Sequence, residues 1–337
     1  MTDLVPHQGV APAAYDPATL AVLAAMEQAA EEHLDAIRPH NTKRGYANDW
    51  RLWTEFHDWL AERTGHRIPL TAVTKGTLVG FVVWLDTVKL AAPNSIDRRI
   101  TGVTVTARAE GAEVSKAATE AARKALKPLL ADPDRLARGR GKAPAATLDQ
   151  LQQMADAAPA SLTGIRDRAL WLMAFGMAGR SSEVAALRTD SIALVGKGLD
   201  VHVPSVKGLP ARKVRVAYGK NPDTCPVRAW LIWKAAAGLT DGPAFRPISV
   251  HGQLGAGGLS PSGCQEIISR SAERAGLAVR LTGHSMRSGF ITTARQAGKR
   301  EEKIRAQSGH AANSPVFWGY IQEADAWTDA ASEDIGL

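Results

Sequence analysis

The stretch GIRDRALWLMAFGMAGRSSEVAAL, residues 164–187, decides the fold of the second half of this chain. Apolar residues recur there at helical spacing from about residue 163 to residue 178 and predict a buried helix. The run is too short to span a bilayer. Arg180 follows it within G-R-S-S-E, where an arginine is often only a charge favoured by the helix dipole. The G-R-S-S-E context instead favours a catalytic role for Arg180, with Glu183 as the structural partner of an arginine.

The rest of this half of the chain is mostly helical by its pattern. Short alternating runs at 201–203 and 213–216 flank a turn at 208–210 and predict a small β-hairpin. Helical spacing of apolar residues predicts further helices near residues 147–157, 226–237, 261–275, 285–297 and 301–307, and a helical segment near 320–332. We therefore expect a mainly α domain with one small sheet over residues 147–337.

The first half of the chain is predicted to be helical without strands. A helix begins at Asp16-Pro17, with Pro17 at the first helical position, and is ended by Pro39, and the next begins near residues 41–42. The aromatic stripe of this second helix is typical of a core rather than of a base-stacking surface. Three more helices are predicted at 74–88, 94–108 and 114–130. The expected domains are a flexible tail over 1–16, a helical domain over 17–131 and an exposed basic linker over 132–146.

The charge of the chain favours an acidic partner. Its 337 residues carry a formal net charge of +7, and the sequence pI is about 9.5, a balance for which nucleic acid is the commonest partner. Cys225 and Cys264 lie far apart and indicate neither a zinc site nor a disulfide framework. The N-terminal residues lack the basic and apolar regions of a signal peptide. A cytoplasmic, reducing compartment and no membrane association are expected.

Five basic residues are candidates for contacts with a DNA backbone. Lys43, Arg44 and Arg51 lie on the polar face of the second predicted helix. Arg138 and Arg140 lie in the Gly- and Pro-containing linker, which can follow a row of phosphates between two domains. Each of these five can also be an ordinary solvated charge.

Several ordered segments resemble the tyrosine recombinases, the phage integrase family. Residues 41–60 resemble part of the family's helical core-binding domain, a SAM-like fold, and residues 164–187 resemble its first arginine box. VPSVKGLPARKVRV (203–216) resembles the family's β-hairpin with a lysine at the turn. LTGHSMRSGFITTARQAG (281–298) resembles its HxxR box, and IRAQSGHAANSPVFWGYIQEADAW (304–327) resembles its closing box with the tyrosine. The resemblance covers roughly residues 40–332, and motifs in order are more specific than any single motif.

This resemblance implies a catalytic site with defined roles. Its residues are Arg180, Lys207, His284, Arg287, His310 and Tyr320. Tyr320 would attack a phosphodiester, and the two arginines would stabilise the charge on the non-bridging oxygens. A tyrosine hydroxyl has a pKa near ~10, so one of the two histidines would take its proton, or positive surroundings would lower that pKa. Lys207 would protonate the leaving 5′-oxygen, although Lys213 in the same hairpin is an alternative.

The implied function is that of a site-specific DNA recombinase. Such an enzyme cleaves and rejoins strands through a 3′-phosphotyrosyl intermediate, in integration, excision or resolution, and without a metal or nucleotide cofactor. The implied partners are double-stranded DNA with inverted half-sites and further copies of this chain in a homo-tetramer, with accessory proteins as additional candidates. The main alternative is a non-catalytic DNA-binding protein with the same fold. A relaxing topoisomerase and a metal-dependent nuclease are more distant alternatives.

Overall fold

The computed structural model describes residues 15–206, 210–326 and 328. The chain divides into two compact units, Met1–Gly141 and Lys142–Leu337. Most of the tail expected over 1–16, the hairpin residue Lys207 and the last residues of the chain lie outside the described residues. The expected fold class, mainly α with one small sheet, is confirmed. None of the helices in the described part of the chain combines the length and apolarity that crossing a bilayer requires.

Six helices make up the described part of the first unit. Their bounds are Pro17–Ile37 (α1), His40–Thr64 (α2), Lys75–Thr87 (α3), Pro93–Ala109 (α4), Lys116–Leu130 (α5) and Pro133–Leu136 (α6). Helix α1 begins where the sequence predicts, because the Asp16 carboxylate accepts hydrogen bonds from the backbone N–H groups of Ala18 and Thr19. Thr74 and Thr77 form a capping box that fixes the start of α3.

Aromatic residues form the centre of this first unit. Trp53 and Phe56 of α2 pack against Phe81 of α3, and all three are fully buried. The indole N–H of Trp53 donates to the carbonyl of Leu70 at 2.9 Å, which satisfies its one polar atom. The prediction that the aromatic stripe belongs to a core is therefore confirmed.

The segment expected to be an exposed linker is partly folded onto the first unit. Helix α6 lies inside it, capped by the carboxylate of Asp132. Arg135 and Arg138 both donate to Asp86, whose carboxylate is almost fully buried in α3. A buried carboxylate is costly without cationic partners, and these arginines supply them. Within the linker expected over 132–146, residues 133–136 are therefore helical and Arg135 and Arg138 are bound to the first unit, while most of the segment is exposed.

The second unit contains eight helices and one sheet among its described residues. The helices are Leu148–Asp156 (α7), Leu162–Gly176 (α8), Ser181–Ala185 (α9), Pro226–Ala236 (α10), Pro261–Arg274 (α11), Gly283–Gln296 (α12), Glu301–Ser308 (α13) and Pro315–Ala324 (α14). Helix α8 is the predicted helix of the arginine segment. It is buried on most of its surface, and α10 and α12 pack against it.

The sheet has three antiparallel strands in the order β1-β2-β3. They span Ile192–Val195 (β1), Gly198–Val203 (β2) and Arg212–Ala217 (β3). The sequence predicts β2 and β3 but not β1, because three of the four residues of β1 are exposed and show no alternation. In β3, Val214 and Val216 point into the core, so Arg212 shares their face and Lys213 points the other way.

Candidate active site

The turn after α8 brings the first arginine to the site. Ala178 has a φ of 48°, a left-handed conformation that alanine rarely adopts. Two residues later Arg180 is the N-cap of α9, and its backbone N–H donates to Glu183 Oε2 at 2.8 Å while its Nη1 donates to Glu183 Oε1 at 2.9 Å. The strained backbone is held from outside, because Arg287 donates to the carbonyl of Ala178.

Glu183 is the anionic centre of the site. Its side chain is only 1% exposed and accepts hydrogen bonds from Arg180 and from Arg212. Burial alone raises the pKa of this carboxyl, but the hydrogen bonds and charges of Arg212 and Arg180 outweigh burial and hold the pKa below its usual value. Glu183 is therefore ionised at neutral pH, and its expected role as the partner of an arginine is confirmed.

Arg287, on α12, is the most deeply buried cation of the site. Its Nη1 donates to the carbonyl of Ala178 at 2.7 Å, and its Nη2 lies 3.1 Å from Nε2 and 3.2 Å from Nδ1 of His310. Burial, followed by the neighbouring positive charge of Arg180, lowers its pKa to about 9. Arg287 therefore stays charged at neutral pH, in a place where little water competes for it.

Tyr320 and His284 are joined by a short hydrogen bond. Tyr320 lies in the middle of α14 with only 3% of its surface exposed, and its hydroxyl is 2.6 Å from Nε2 of His284 in the first turn of α12. Burial raises the pKa of the Tyr320 hydroxyl. Burial lowers the pKa of His284, and the nearby charges of Arg287, Arg180 and Lys142 lower it further. A neutral imidazole therefore faces a protonated phenol, the arrangement that proton transfer from the phenol requires.

Helix α14 is held in place by contacts on both sides of Tyr320. Phe317 and Ile321 are buried against Ile291 of α12 and Ile304 of α13. At the end of the helix, the carboxylate of Asp325 accepts two hydrogen bonds from Arg295 Nε, at 2.8 and 2.9 Å. The sequence predicts this helix later in the chain, near 320–332; the structure starts it at Pro315, where Ser314 caps it.

His310 contacts the site through Arg287 rather than through the tyrosine. The rings of His310 and Tyr320 have centroids 6.3 Å apart, and Ser308 Oγ lies 2.9 Å from Nδ1 of His310. Burial and then the charges of Arg287 and Arg180 lower the pKa of His310 to about 3. Of the two histidines that the sequence leaves as proton acceptors, the structure places His284 within reach of the hydroxyl.

Two basic residues near the site are missed by the sequence analysis. Arg212 donates to both oxygens of Glu183, and Lys142 has its Nζ 4.8 Å from the centre of the Tyr320 ring while pairing with Glu323. Arg212 lies one residue before the run predicted at 213–216, and strand alternation carried back to it places its charge on the inward face, which is the signal that identifies it. Lys142 lies in the expected linker and has no comparable signal. Lys213 is exposed on the opposite face of β3 from Arg212.

The predicted DNA-contact residues of the first unit are mostly paired with carboxylates on its surface. Lys43 pairs with Asp35, and Arg51 pairs with Glu55. Arg44 is exposed and makes no hydrogen bond or ion pair to the described residues. In the following segment Arg138 is held by Asp86, as described above, and Arg140 is exposed.

Arg98 and Arg99 of α4 add to this basic surface and are missed by the sequence analysis. Arg98 makes two hydrogen bonds of 2.6 Å to Asp49, a fully buried carboxylate of α2, while half of its own side chain stays exposed. Nε of Arg99 is buried without a hydrogen-bond partner among the described residues. Burial lowers the pKa of Arg99, and the charges of Arg98 and Arg51 lower it further, so these three cations lie near one another.

Comparison with known proteins gives one consistent result. The sequence model described as the phage integrase family matches residues 145–326. A protein of Selenomonas ruminantium named integrase/recombinase xerD homolog is 27% identical over 308 residues, which is 90% of this chain and 87% of that protein. Its match extends over both units.

Two solved structures share the fold at low sequence identity. One is a lambda integrase tetramer bound to a Holliday junction, with a TM-score of 0.55 and 15% identity, covering 92% of this chain and 82% of the other. The second is the Tn1549 transposon integrase in complex with a circular intermediate DNA, with a TM-score of 0.57 and 15% identity. The match covers 84% of this chain and 90% of the other. Since the family match spans more than half of the chain, the protein belongs to the phage integrase family and is a site-specific DNA recombinase of the tyrosine type.

Proposed function

We propose that Tyr320 is the nucleophile of DNA strand cleavage. Its oxygen attacks the phosphorus of a phosphodiester, a 3′-phosphotyrosyl ester forms, and the bond from phosphorus to the 5′-oxygen breaks. The observation that carries this proposal is the 2.6 Å contact between the Tyr320 hydroxyl and a neutral His284, which accepts the proton. The ester keeps the energy of the broken bond, so a 5′-hydroxyl can attack it and release the tyrosine in rejoining.

Arg180 and Arg287 are proposed to stabilise the charge that develops on the non-bridging oxygens. Both guanidiniums are held by protein acceptors, so they are oriented before DNA arrives. His310 is proposed to orient Arg287, because it contacts the guanidinium and lies out of hydrogen-bond reach of Tyr320. Such preorganised charge is worth several kcal/mol, on the order of 10²–10³-fold in rate for one donor.

Lys207 is proposed as the donor of a proton to the leaving 5′-oxygen. What favours it over Lys213 is the strand alternation of β3, which directs Lys213 away from the face that carries Arg212 and the site. Replacing each lysine with alanine in turn tests this assignment. A cleavage defect that a 5′-thiolate leaving group relieves should appear for Lys207 alone, because a thiolate needs little proton transfer.

The DNA partner is proposed to be a duplex with two inverted half-sites, bound by four copies of this chain. A related fold is that of a lambda integrase tetramer bound to a Holliday junction, which supports this assembly. Residues 17–131, with Lys43, Arg44 and Arg51, are proposed to bind DNA, joined by residues 132–146 with Arg138 and Arg140 to a catalytic domain over 147–337. We further propose a cytoplasmic location with the DNA, and accessory proteins as candidate additional partners.

The C-terminal segment after Tyr320 is proposed to join neighbouring copies in that assembly, through residues other than Ile321, which is buried within its own chain. Truncation after Thr328 leaves α14 and its Arg295 anchor intact. The truncated protein should bind a single half-site normally but fail to form tetramers in native gel analysis. Tetramers of wild-type abundance would contradict this part of the proposal.

A suicide substrate tests the nucleophile directly. Purified protein is mixed, with EDTA present, with a nicked duplex from the DNA that flanks its own gene, and products are separated on a denaturing gel beside Tyr320→Phe. The removal of Tyr320's hydroxyl should abolish the covalent protein–DNA band while leaving DNA binding unchanged. Tight binding by the wild type without a covalent band would favour the non-catalytic alternative.

A further inference from the structure

Arg212 is a cation on the inward face of a core strand. It precedes the buried residues Val214 and Val216 of β3 on the same face, and only 14% of its side chain is exposed. All three of its guanidinium nitrogens donate to protein acceptors. Nη1 and Nη2 donate to the two oxygens of Glu183 at 2.6 and 3.0 Å, and Nε donates to the carbonyl of Gln307 at 3.3 Å. Three of its five N–H donors are therefore bound within the protein, two of them by Glu183.

Arg212 and Arg180 compete for one carboxylate. Both donate to Oε1 of Glu183, where Arg180 uses a single guanidinium nitrogen and Arg212 uses two across the pair of oxygens. The side chain of Arg180 is 32% exposed and lines a cavity of about 480 Å³ together with Arg212 and His310. While Arg212 occupies the bidentate position, the guanidinium of Arg180 contacts the carboxylate through Nη1 alone, and its other nitrogens make no hydrogen bond to Glu183.

Arg212 also packs against the loop that carries His310. A methyl group built on Gly309 would lie 3.1 Å from Cδ, 3.2 Å from Nε and 3.3 Å from Cζ of Arg212. Gly309 has a φ of 67° and ends α13, so the chain turns there from Ser308 to His310. The position of His310, and through it of Arg287, therefore depends on the Arg212 side chain.

We propose that Arg212 is a positioning residue for DNA cleavage. It holds Glu183 so that Arg180 remains available to the phosphate, and it supports the turn that orients His310. The inference rests on the proposed function, because it needs Arg180 to act on the phosphate. Without Arg212, Arg180 takes over both oxygens of Glu183, and a buried carboxylate with one partner fewer binds that partner more tightly.

The test separates cleavage from binding. Arg212→Gln is compared with Arg215→Gln, which removes the same charge from the same strand but at a side chain that is 90% exposed. In single-turnover reactions on the suicide substrate, Arg212→Gln should cleave about 10²-fold more slowly with half-site affinity nearly unchanged, since small misplacements of catalytic groups cost about this much. Arg215→Gln should cleave at the wild-type rate. Wild-type cleavage by Arg212→Gln would overturn the proposal.

A double-mutant cycle asks whether Arg212 acts through Arg180. In an Arg180→Lys background, adding Arg212→Gln should cost much less than it costs in the wild type, because residues that act as a unit have non-additive effects. Fully additive losses would overturn the proposal, since a general loss of structure lowers both backgrounds equally. If Arg212→Gln does not fold, Arg212→Lys replaces it: this variant keeps the charge with a single donor group and should still cleave more slowly. Wild-type cleavage by Arg212→Lys would then refute the positioning role.

The outcome is distinguishable from failure of the proposed function. If the wild-type chain forms no covalent complex, the tyrosine mechanism fails. If the wild type forms it and the Arg212 variants form it equally fast, only the role of Arg212 fails.

Discussion

His310 leads to a prediction about acid stability that follows from its surroundings. Burial first, and then the charges of Arg287 and Arg180, lower its pKa from an ordinary value of 6.5 to about 3. Below its ordinary pKa, the unfolded chain binds a proton on this histidine, while the folded chain binds none until the pH approaches about 3. The stabilising contribution is therefore complete above pH 6.5 and is lost progressively as the pH falls towards the folded value.

The size of the effect can be worked out from the two pKa values. Between about pH 7 and about pH 5, proton linkage removes about 2 kcal/mol from the free energy of unfolding through this residue alone. The pKa of His284 is also lowered, so that residue adds a loss of the same sign. Such a loss is a large fraction of the ~5–15 kcal/mol that stabilises a typical domain.

The assay compares urea unfolding of the wild type and His310→Gln at both pH values. Glutamine retains an acceptor for Arg287 Nη2 but does not titrate, and subtracting the two proteins cancels the other ionisable groups. The wild type should lose about 2 kcal/mol more than the variant on acidification. Equal losses in the two proteins would refute the reasoning, because they would mean that folded His310 binds protons as readily as the unfolded chain.

Three further predictions concern the chemistry, the backbone and DNA binding. His284→Gln should slow covalent-complex formation by about 10²–10⁴-fold. Wild-type cleavage should persist as the pH falls to the ordinary histidine value of 6.5 and decline only below it, because the lowered pKa of His284 keeps this base neutral there. A single-turnover rate near wild type in the variant would contradict the role of His284. Gly309→Ala should lower the free energy of unfolding in urea by more than Gly276→Ala does. Both glycines have a left-handed backbone, which costs alanine about 1–2 kcal/mol, but a methyl group at Gly309 would also press on the Arg212 side chain, whereas Gly276 has open space. Equal losses in the two variants would count against the contact between Gly309 and Arg212. Arg44→Gln should reduce, by about 1, the steepness with which the logarithm of DNA affinity falls against the logarithm of salt concentration. The exposed Lys116→Gln is the control and should leave this slope unchanged. An unchanged slope for Arg44→Gln would mean that Arg44 does not contact DNA.

The sequence predicts the elements of this protein better than it predicts their contacts. Helix α8 and the aromatic core follow from periodicity, which is a local property of the chain. Strand β1 is missed because it is mostly exposed and does not alternate. The left-handed Ala178 has no local signal, since its conformation is held by Arg287, 109 residues further along the chain.

The roles of the site residues depend on similar long-range geometry. From the sequence, His284 and His310 are equivalent candidates for the proton acceptor, and only their distances from Tyr320 separate them. Arg212 is readable in principle as an inward-facing charge, but its partner Glu183 lies 29 residues earlier on another element. Local patterns specify which residues face inward, and tertiary packing decides which of them meet.

The anchoring of α14 has a consequence for mixed assemblies. Tyr320 is tied to His284 of its own chain, and Arg295 holds the end of the same helix through Asp325. If Tyr320 is the nucleophile as proposed, each copy carries it together with the proposed charge-stabilising groups, and we expect cleavage to take place in cis. Mixing a Tyr320→Phe protein with an Arg287→Ala protein should not restore DNA cleavage, because the intact Tyr320 and the intact Arg287 would then lie in different subunits.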